Sequence, residues 1–281
     1  MKTTLRTVLC AIAVVLAFAY CQKSNESEEG GQEPIINTGA LNGKFSVSPT
    51  KMVYFSKGNL QATINAKGVP TAWKFAENQY DCLGEGGANK TIGTQAGDVD
   101  LFGWSTASNT YGISTSKDWN DYSGEFADWG KAIGDGSTWR TLSNDEWTYL
   151  LENRTNASKK YGFATVAGFH GIIILPDNFK DPETNIGNVA FVPTEAGWTN
   201  NVYTGGKWDA MEQAGAVFLP AADCRYGSNV GSVGDEGNYW SSTARDSRTA
   251  YNVYFNSRGV GPGSHDTRDR GCSVRLIIES K

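Results

Sequence analysis

Apolar positions along this chain fall in short bursts, and few of them recur at helical spacing over any length. Brief alternating or continuous apolar runs predict strands. They occur at residues 52–55, 73–75, 161–166, 171–175, 215–219, 251–255 and 273–278. Two of these runs share a pattern, because 171–175 and 215–219 each run into a proline, Pro176 or Pro220, that cannot donate to a ladder. Helix is the minority element. Its clearest start is Ser143, which with Glu146 forms a capping box ahead of Trp147, Leu150 and Leu151 at core-facing spacing. A shorter helix is predicted over 208–214, with Trp208 and Met211 on one face and Gly215 free to close it left-handed. The pattern is that of an α+β fold with short strands, few helices and much loop.

The N-terminus has a different texture. Lys2 and Arg6 precede an apolar run over 8–18, long enough for the core of an export signal and too short for a comfortable membrane span. Residues 1–20 are therefore expected to be a signal peptide. The run ends at Ala19-Tyr20-Cys21, which resembles a lipoprotein cleavage site with Cys21 as the lipid-bearing residue. A small residue is usual where Tyr20 stands, so ordinary signal cleavage with Cys21 left free is the alternative. Residues 21–40 carry Glu26, Glu28, Glu29 and Glu33 among polar residues, a composition that buries too little surface to fold and reads as an acidic tether. Residues 41–281 then form the folded domain. The expected location is the outer membrane, with the domain on the cell surface and the lipid as its one membrane attachment.

Net charge of −5 argues against a nucleic-acid partner, which needs clustered positive charge. Of five cysteines, Cys82, Cys224 and Cys272 lie in the folded part, at spacings that match neither a metal knuckle nor a redox pair. Free thiols are expected, with a Cys82–Cys224 bridge as the alternative. His170 and His265 are the two histidines, which leaves zinc or histidine acid–base chemistry short of parts. His170 reads as a strand-edge residue. Asp98 and Asp100 near Asn89 have the oxygen chemistry of a calcium site, but without a loop signature they read more simply as solvated turn residues. No cofactor or metal is expected. Among nine tryptophans, Trp119, Trp129 and Trp198 lie in loops rich in Gly, Asp and Asn, where an exposed ring can stack on a sugar.

Several segments in order carry a resemblance: Trp139-Arg140-Thr141-Leu142-Ser143 leading into Glu146-Trp147, the two Leu-Pro strand ends, Tyr239-Trp240-Ser241-Ser242-Thr243, and Ser273-Val274-Arg275-Leu276. Together they resemble C-type-lectin-like domains of the sulfatase-modifying type, including the Fibrobacter succinogenes major paralogous domain and the variable proteins of diversity-generating retroelements. The resemblance runs from about Phe45 to the C-terminus. It implies a compact α+β unit whose C-terminal strands and loops present a ligand face, with Trp139, Trp147 and Trp240 in the core. The close cysteine pair of the formylglycine-generating members is missing from the sequence, so an enzyme is not expected.

Residues 239–275 separate into a frame and the small, polar or charged residues between its members. The frame comprises Trp240, Ser241, Ser242, Ser247, Ala250, Tyr251, Val253, Phe255, Val260, Pro262, Arg268, Gly271 and Val274. Tyr251, Val253 and Phe255 alternate, which turns Asn252, Tyr254 and Asn256 to the other side of their strand. The residues between, Cys272 among them, are all reachable by changing adenines in an asparagine codon, as the retroelement resemblance implies. Ligand contacts are assigned to Arg245, Asp246, Arg248, Asn252, Tyr254, Asn256, Arg258, His265, Asp266, Asp269 and Arg270, displayed on one contiguous face. Residues 208–280 hold seven arginines and no lysine. That bias suits display, since arginine offers a planar five-donor fork. The expected function is non-enzymatic binding of an extracellular protein or glycan. The alternative is a carbohydrate-binding adhesin or fimbrial component that uses the loop tryptophans.

Overall fold

The computed structural model describes residues 39–134, 138–182, 191–231 and 233–280. The signal peptide, Cys21 and nearly all of the tether lie outside the described residues. Among those described, no helix is long and apolar enough to cross a membrane.

The N-terminal part contributes five strands, β1 (Phe45–Ser46), β2 (Met52–Phe55), β3 (Leu60–Ile64), β4 (Pro70–Phe75) and β5 (Gly97–Val99). A long loop region with short 3-10 turns leads to β6 (Arg140–Thr141) and helix α1 (Asn144–Thr148), which continues as one π-helical turn. Next come β7 (Tyr161–Val166), β8 (Phe169–Ile174), β9 (Val202–Tyr203) and helix α2 (Gly205–Gln213). The C-terminal part holds β10 (Val217–Pro220), β11 (Arg225–Tyr226), β12 (Asn229–Val230), β13 (Glu236–Ala244), β14 (Thr249–Asn256), β15 (Gly259–Thr267) and β16 (Leu276–Glu279). Among the described residues this is a fold of small sheets with two α-helices and much loop.

The capping box at α1 forms as its sequence implies, with Ser143 Oγ accepting from the Glu146 amide and Glu146 accepting from the Ser143 amide. It also fixes Arg140, whose guanidinium reaches both Glu146 oxygens at 2.7 Å. Strand order β10-β8-β7-β9 places β8 between two partners. Ile172 and Ile174 face one apolar cluster and Ile173 the other, where Trp208 and Met211 of α2 cover the sheet. Burial on both faces is why that run is continuously apolar. His170 is the second residue of this strand, at the end that β10 does not pair.

Strands from both ends of the domain meet in the sheet β1-β2-β16-β6. Strands β13, β14 and β15 form a separate antiparallel sheet in chain order. Its pleat divides as the alternation predicts at Val253 and Phe255, which join Tyr239 in the largest apolar cluster. The opposite face carries Glu236, Asn238, Trp240, Ala250, Asn252, Tyr254 and Asn256, since directly paired residues share a face. At one end of this face Trp240 and Ala250 are covered by Phe102, Trp104 and Cys272. The other end stays polar and open.

Candidate functional site

The polar end of that face is the floor of a pocket of about 540 Å³. β13 supplies Glu236 and Asn238, β14 supplies Asn252 and Tyr254, and β15 supplies Ser264, His265 and Asp266. The small hairpin of β11 and β12, preceded by Asp223 and Cys224, forms the facing wall with Tyr226, Asn229, Val230 and Gly231. Arg270 closes one side. A bulge in β15 shapes the floor: Asn252 pairs with Ser264 and Tyr254 with Gly261, so Val253 alone opposes both Pro262 and Gly263. Proline has no amide to give the ladder, and the extra residue restores the register beyond it. Ser264 thereby comes to the same face as Asn252.

The side chains of the pocket are tied into a network. Asn256 donates to the Tyr254 hydroxyl at 2.8 Å, and that hydroxyl donates to Glu236 at 2.8 Å. Burial first, and then the bond to Glu236, raise the Tyr254 phenol above its ordinary value. Burial lifts Asp266 above the usual carboxylate range, against the opposing pull of the Thr267 amide and Arg270. Arg270 stacks over the Tyr226 ring at 4.3 Å with its Nε 3.6 Å from Asp266. Cys224 is pushed up to about 12 by burial and by Asp223. One acceptor in this wall stays unused: the Asn252 side-chain oxygen is buried and has no hydrogen-bond partner. Asn252 as a whole is only 1% exposed.

Of the eleven contacts read from sequence, Asn252, Tyr254, His265, Asp266 and Arg270 line the pocket. Asn256 reaches it only through Tyr254. Arg245, Asp246 and Arg248 sit in the turn between β13 and β14, whereas Arg258 sits in the turn between β14 and β15, at the opposite end of the sheet. The expectation of one contiguous face is therefore corrected. Asp246 accepts from the amides of Arg248 and Thr249 and so shapes its own turn. Asp269, expected on display, is 3% exposed, and its charge acts on the buried Arg225. Asn252 and Cys272 are buried too, Cys272 within the apolar cluster that covers one end of the face on which Asn252 lies. Ser247, read as frame, is exposed.

The arginine bias also has a different cause than display for three of its members. Arg225, Arg268 and Arg275 are all buried. Arg225 donates to the carbonyls of Gly227 and Leu101, and Arg268 to those of Tyr122, Gly124 and Asp246. Arg275 donates to Asn59 and to Gln79, and burial lowers it to about 10. A rigid planar fork of donors reaches separated acceptors in fixed directions, a geometry that lysine does not copy.

The loop tryptophans divide as well. Trp129 is fully buried, with its Nε1 donating to the Tyr111 carbonyl, which corrects its reading as an exposed ring. Trp198 packs on the main apolar cluster and stacks on His170 at 5.3 Å. Trp119 lies under Arg248 at 4.3 Å, and two residues before it Lys117 lies over Tyr226 at 4.5 Å. The loop carrying Lys117 and Trp119 thus links the pocket wall to the turn of Arg248.

Two other clefts compete with the pocket. One of about 660 Å³ lies between β6, α1 and β16, where Arg140 is paired to Glu146 and Glu279, Asp128 accepts from Thr141, and Lys51 and Asp145 add one charge of each sign. A third, of about 350 Å³, brings Cys82 beside His170, the two groups a thiol nucleophile would need. Burial, Asp100 and Asp81 push that thiol up to about 12, the wrong direction for a reactive thiolate. Asp100 itself is 1% exposed and accepts from Asn89 and the Leu83 amide, so it is an interior brace and not a solvated turn residue. Asp98 pairs with Lys74 at 2.6 Å. Among the described residues, no group of three or more His, Cys, Asp or Glu side chains could hold a metal ion.

Sequence reasoning missed Asp223, Cys224, Tyr226, Asn229, Glu236 and Asn238. They precede the segment singled out, and short polar hairpins carry no periodic signal. Comparison of the chain with protein-family models, with curated proteins and with solved structures finds no match.

Proposed function

We propose that this chain is a non-enzymatic binding protein of the C-type-lectin-like kind, exported and held at the outer-membrane surface by lipid on Cys21, and that the pocket on the β13–β15 sheet takes an ammonium or guanidinium group of its ligand. The observation that carries this reading is the unpartnered, buried Asn252 oxygen in a wall already rich in acceptors. Leaving such an acceptor unmet costs about 1–3 kcal/mol, and a donor-bearing ligand recovers it. Charge favours the same ligand. Asp223, Glu236 and Asp266 face a single guanidinium, that of Arg270, so the ionised pocket is negative. A lysine or arginine side chain of a surface protein and the amine of an amino sugar both meet this description.

Of the eleven assigned contacts, the fold leaves Arg245, Asp246, Arg248, Arg258 and His265 exposed and Tyr254, Asn256, Asp266 and Arg270 partly so, and the diversifiable positions narrow to these. A template copy of codons 239–275 with asparagine at those positions, beside a reverse-transcriptase gene, is the expected genomic companion.

The binding test uses acetyl-lysine methylamide with a free side-chain amine against the same compound with that amine acetylated, followed by calorimetry. Saturable binding of the charged compound alone is expected, with a loss of tenfold or more in Glu236→Gln/Asp266→Asn. Affinity should fall as pH drops through the Asp266 titration, which burial places above the ordinary carboxylate value of about 4. Equal binding of the neutral compound, or full affinity in the double variant, refutes the cation reading.

A further inference from the structure

Cys224 and Cys272 are far apart in sequence, yet the structure sets them opposite each other. Arg225 and Gly271 exchange two backbone hydrogen bonds, at 2.7 and 2.8 Å, in an antiparallel bridge. One step along that register, the next opposed residues are Cys224 and Cys272. Because Arg225 and Gly271 form the hydrogen-bonded pair, the cysteines occupy a non-hydrogen-bonded pair, where Cα atoms approach to about 4.5 Å. A disulfide spans Cα separations of about 4.4–6.8 Å. Gly271 keeps the two backbones close, since a side chain there would meet the Arg225 Cβ at 2.9 Å. On its other side Cys272 exchanges hydrogen bonds with Phe102, both 2.9 Å, so its strand is held from two directions. Both cysteines pack in the same apolar cluster, and after burial Cys224 is the foremost influence on the Cys272 thiol. Cys82, the partner left open from sequence, lines the cleft of His170 instead.

We propose that Cys224 and Cys272 are joined by a disulfide in the mature protein. The bond closes a covalent loop around β11 to β15, and that loop contains every pocket residue from Tyr226 to Arg270. A segment built to vary would then hang from a stapled base, and changes within it would not untie the sheet from the rest of the domain. The co-reactant is a second disulfide, on a protein or small-molecule carrier. Cys224, the less buried of the two, loses its proton and attacks one carrier sulfur, releasing the other as a thiolate that takes up a proton. Cys272, losing its proton in turn, displaces the remaining carrier sulfur, which is also protonated. Two cysteine thiols are oxidised and the carrier disulfide is reduced to two thiols. Burial holds both thiols above their ordinary values, so the exchange belongs to folding, before the strands close over Cys272.

The test refolds the purified full chain from denaturant in a glutathione redox buffer, then alkylates free thiols and maps peptides without reduction. This readout is independent of export and of any ligand, so it stands or falls apart from the binding reading. The expected result is one cross-linked peptide pair containing Cys224 and Cys272, with Cys82 alkylated. Reduction should lower Tm by about 10 °C, and Cys224→Ala/Cys272→Ala should show the lower Tm with no response to reductant. Alkylation of both Cys224 and Cys272 in the folded, oxidised protein overturns the proposal, as does a bridge that includes Cys82.

Discussion

The Tyr254 hydroxyl donates to Glu236 across β13 and β14 at 2.8 Å, joining a residue read from sequence as displayed to one that sequence reasoning passed over. That bond is the reason Tyr254 sits half-buried against the pocket floor while Asn256 donates to the same hydroxyl. Tyr254→Phe removes one acceptor and one donor from a chain of three groups. Stability should fall by about 1–1.5 kcal/mol, the usual net worth of such a bond. Urea unfolding with an unchanged m-value checks this, and a loss near zero would mean that the bond is not made in solution.

Phe255 lies stacked against Tyr239 in the main apolar cluster, and Gly237 opposes it so closely that an added Cβ would come within 2.0 Å of the ring. Phe255→Ala should lose ~3–5 kcal/mol through lost burial and a residual cavity. Gly237→Ala should be destabilising by about 1–3 kcal/mol for the opposite reason, overpacking. Chemical denaturation of both variants measures the pair. A neutral Gly237→Ala would show that the ring has room to move aside.

Burial opposes ionisation of Asp177, yet Ser46, Arg154 and Lys160 outweigh it and hold the carboxyl below its ordinary value. A depressed carboxylate contributes stability above its unfolded value of about 3.9, and loses it as pH falls through the lower folded value. Wild-type stability should therefore decline below about pH 4, and Asp177→Asn should flatten that decline. At neutral pH the same change strands Arg154, whose side chain is 1% exposed and 2.9 Å from Asp177, at a loss of about 3 kcal/mol. Thermal unfolding from pH 3 to pH 7 tests both parts.

Arg245, Arg258 and His265 are exposed, whereas the Tyr254 hydroxyl is bonded to Glu236. Changing all four to asparagine should keep the fold, with a loss below about 2.5 kcal/mol. Restoring Tyr254 alone should recover most of it. Binding of a small cation should follow the pocket residues Tyr254 and His265 and not Arg245 or Arg258, which lie outside the pocket. Calorimetry on the quadruple and triple variants separates these outcomes.

Elements whose cause is local were legible in the chain. Ser143 and Glu146 meet within one turn, so their capping box forms where the spelling puts it. Val253 and Phe255 alternate on a pleat, and the alternation alone sends them to the core. The same rule placed Asn252 on the opposite face correctly, but whether that face meets water depends on Phe102, Trp104 and Cys272, which arrive from distant segments. The Arg225–Gly271 bridge that brings Cys224 and Cys272 together and the burial of Arg225, Arg268 and Arg275 were hidden likewise, because each depends on which strands become neighbours. Sequence by itself determined which way side chains leave the backbone, since that is set within a few residues by backbone geometry. Tertiary structure alone decided what covers them, because burial is a property of surfaces brought together across the whole chain, and the pocket exists only where that cover stops.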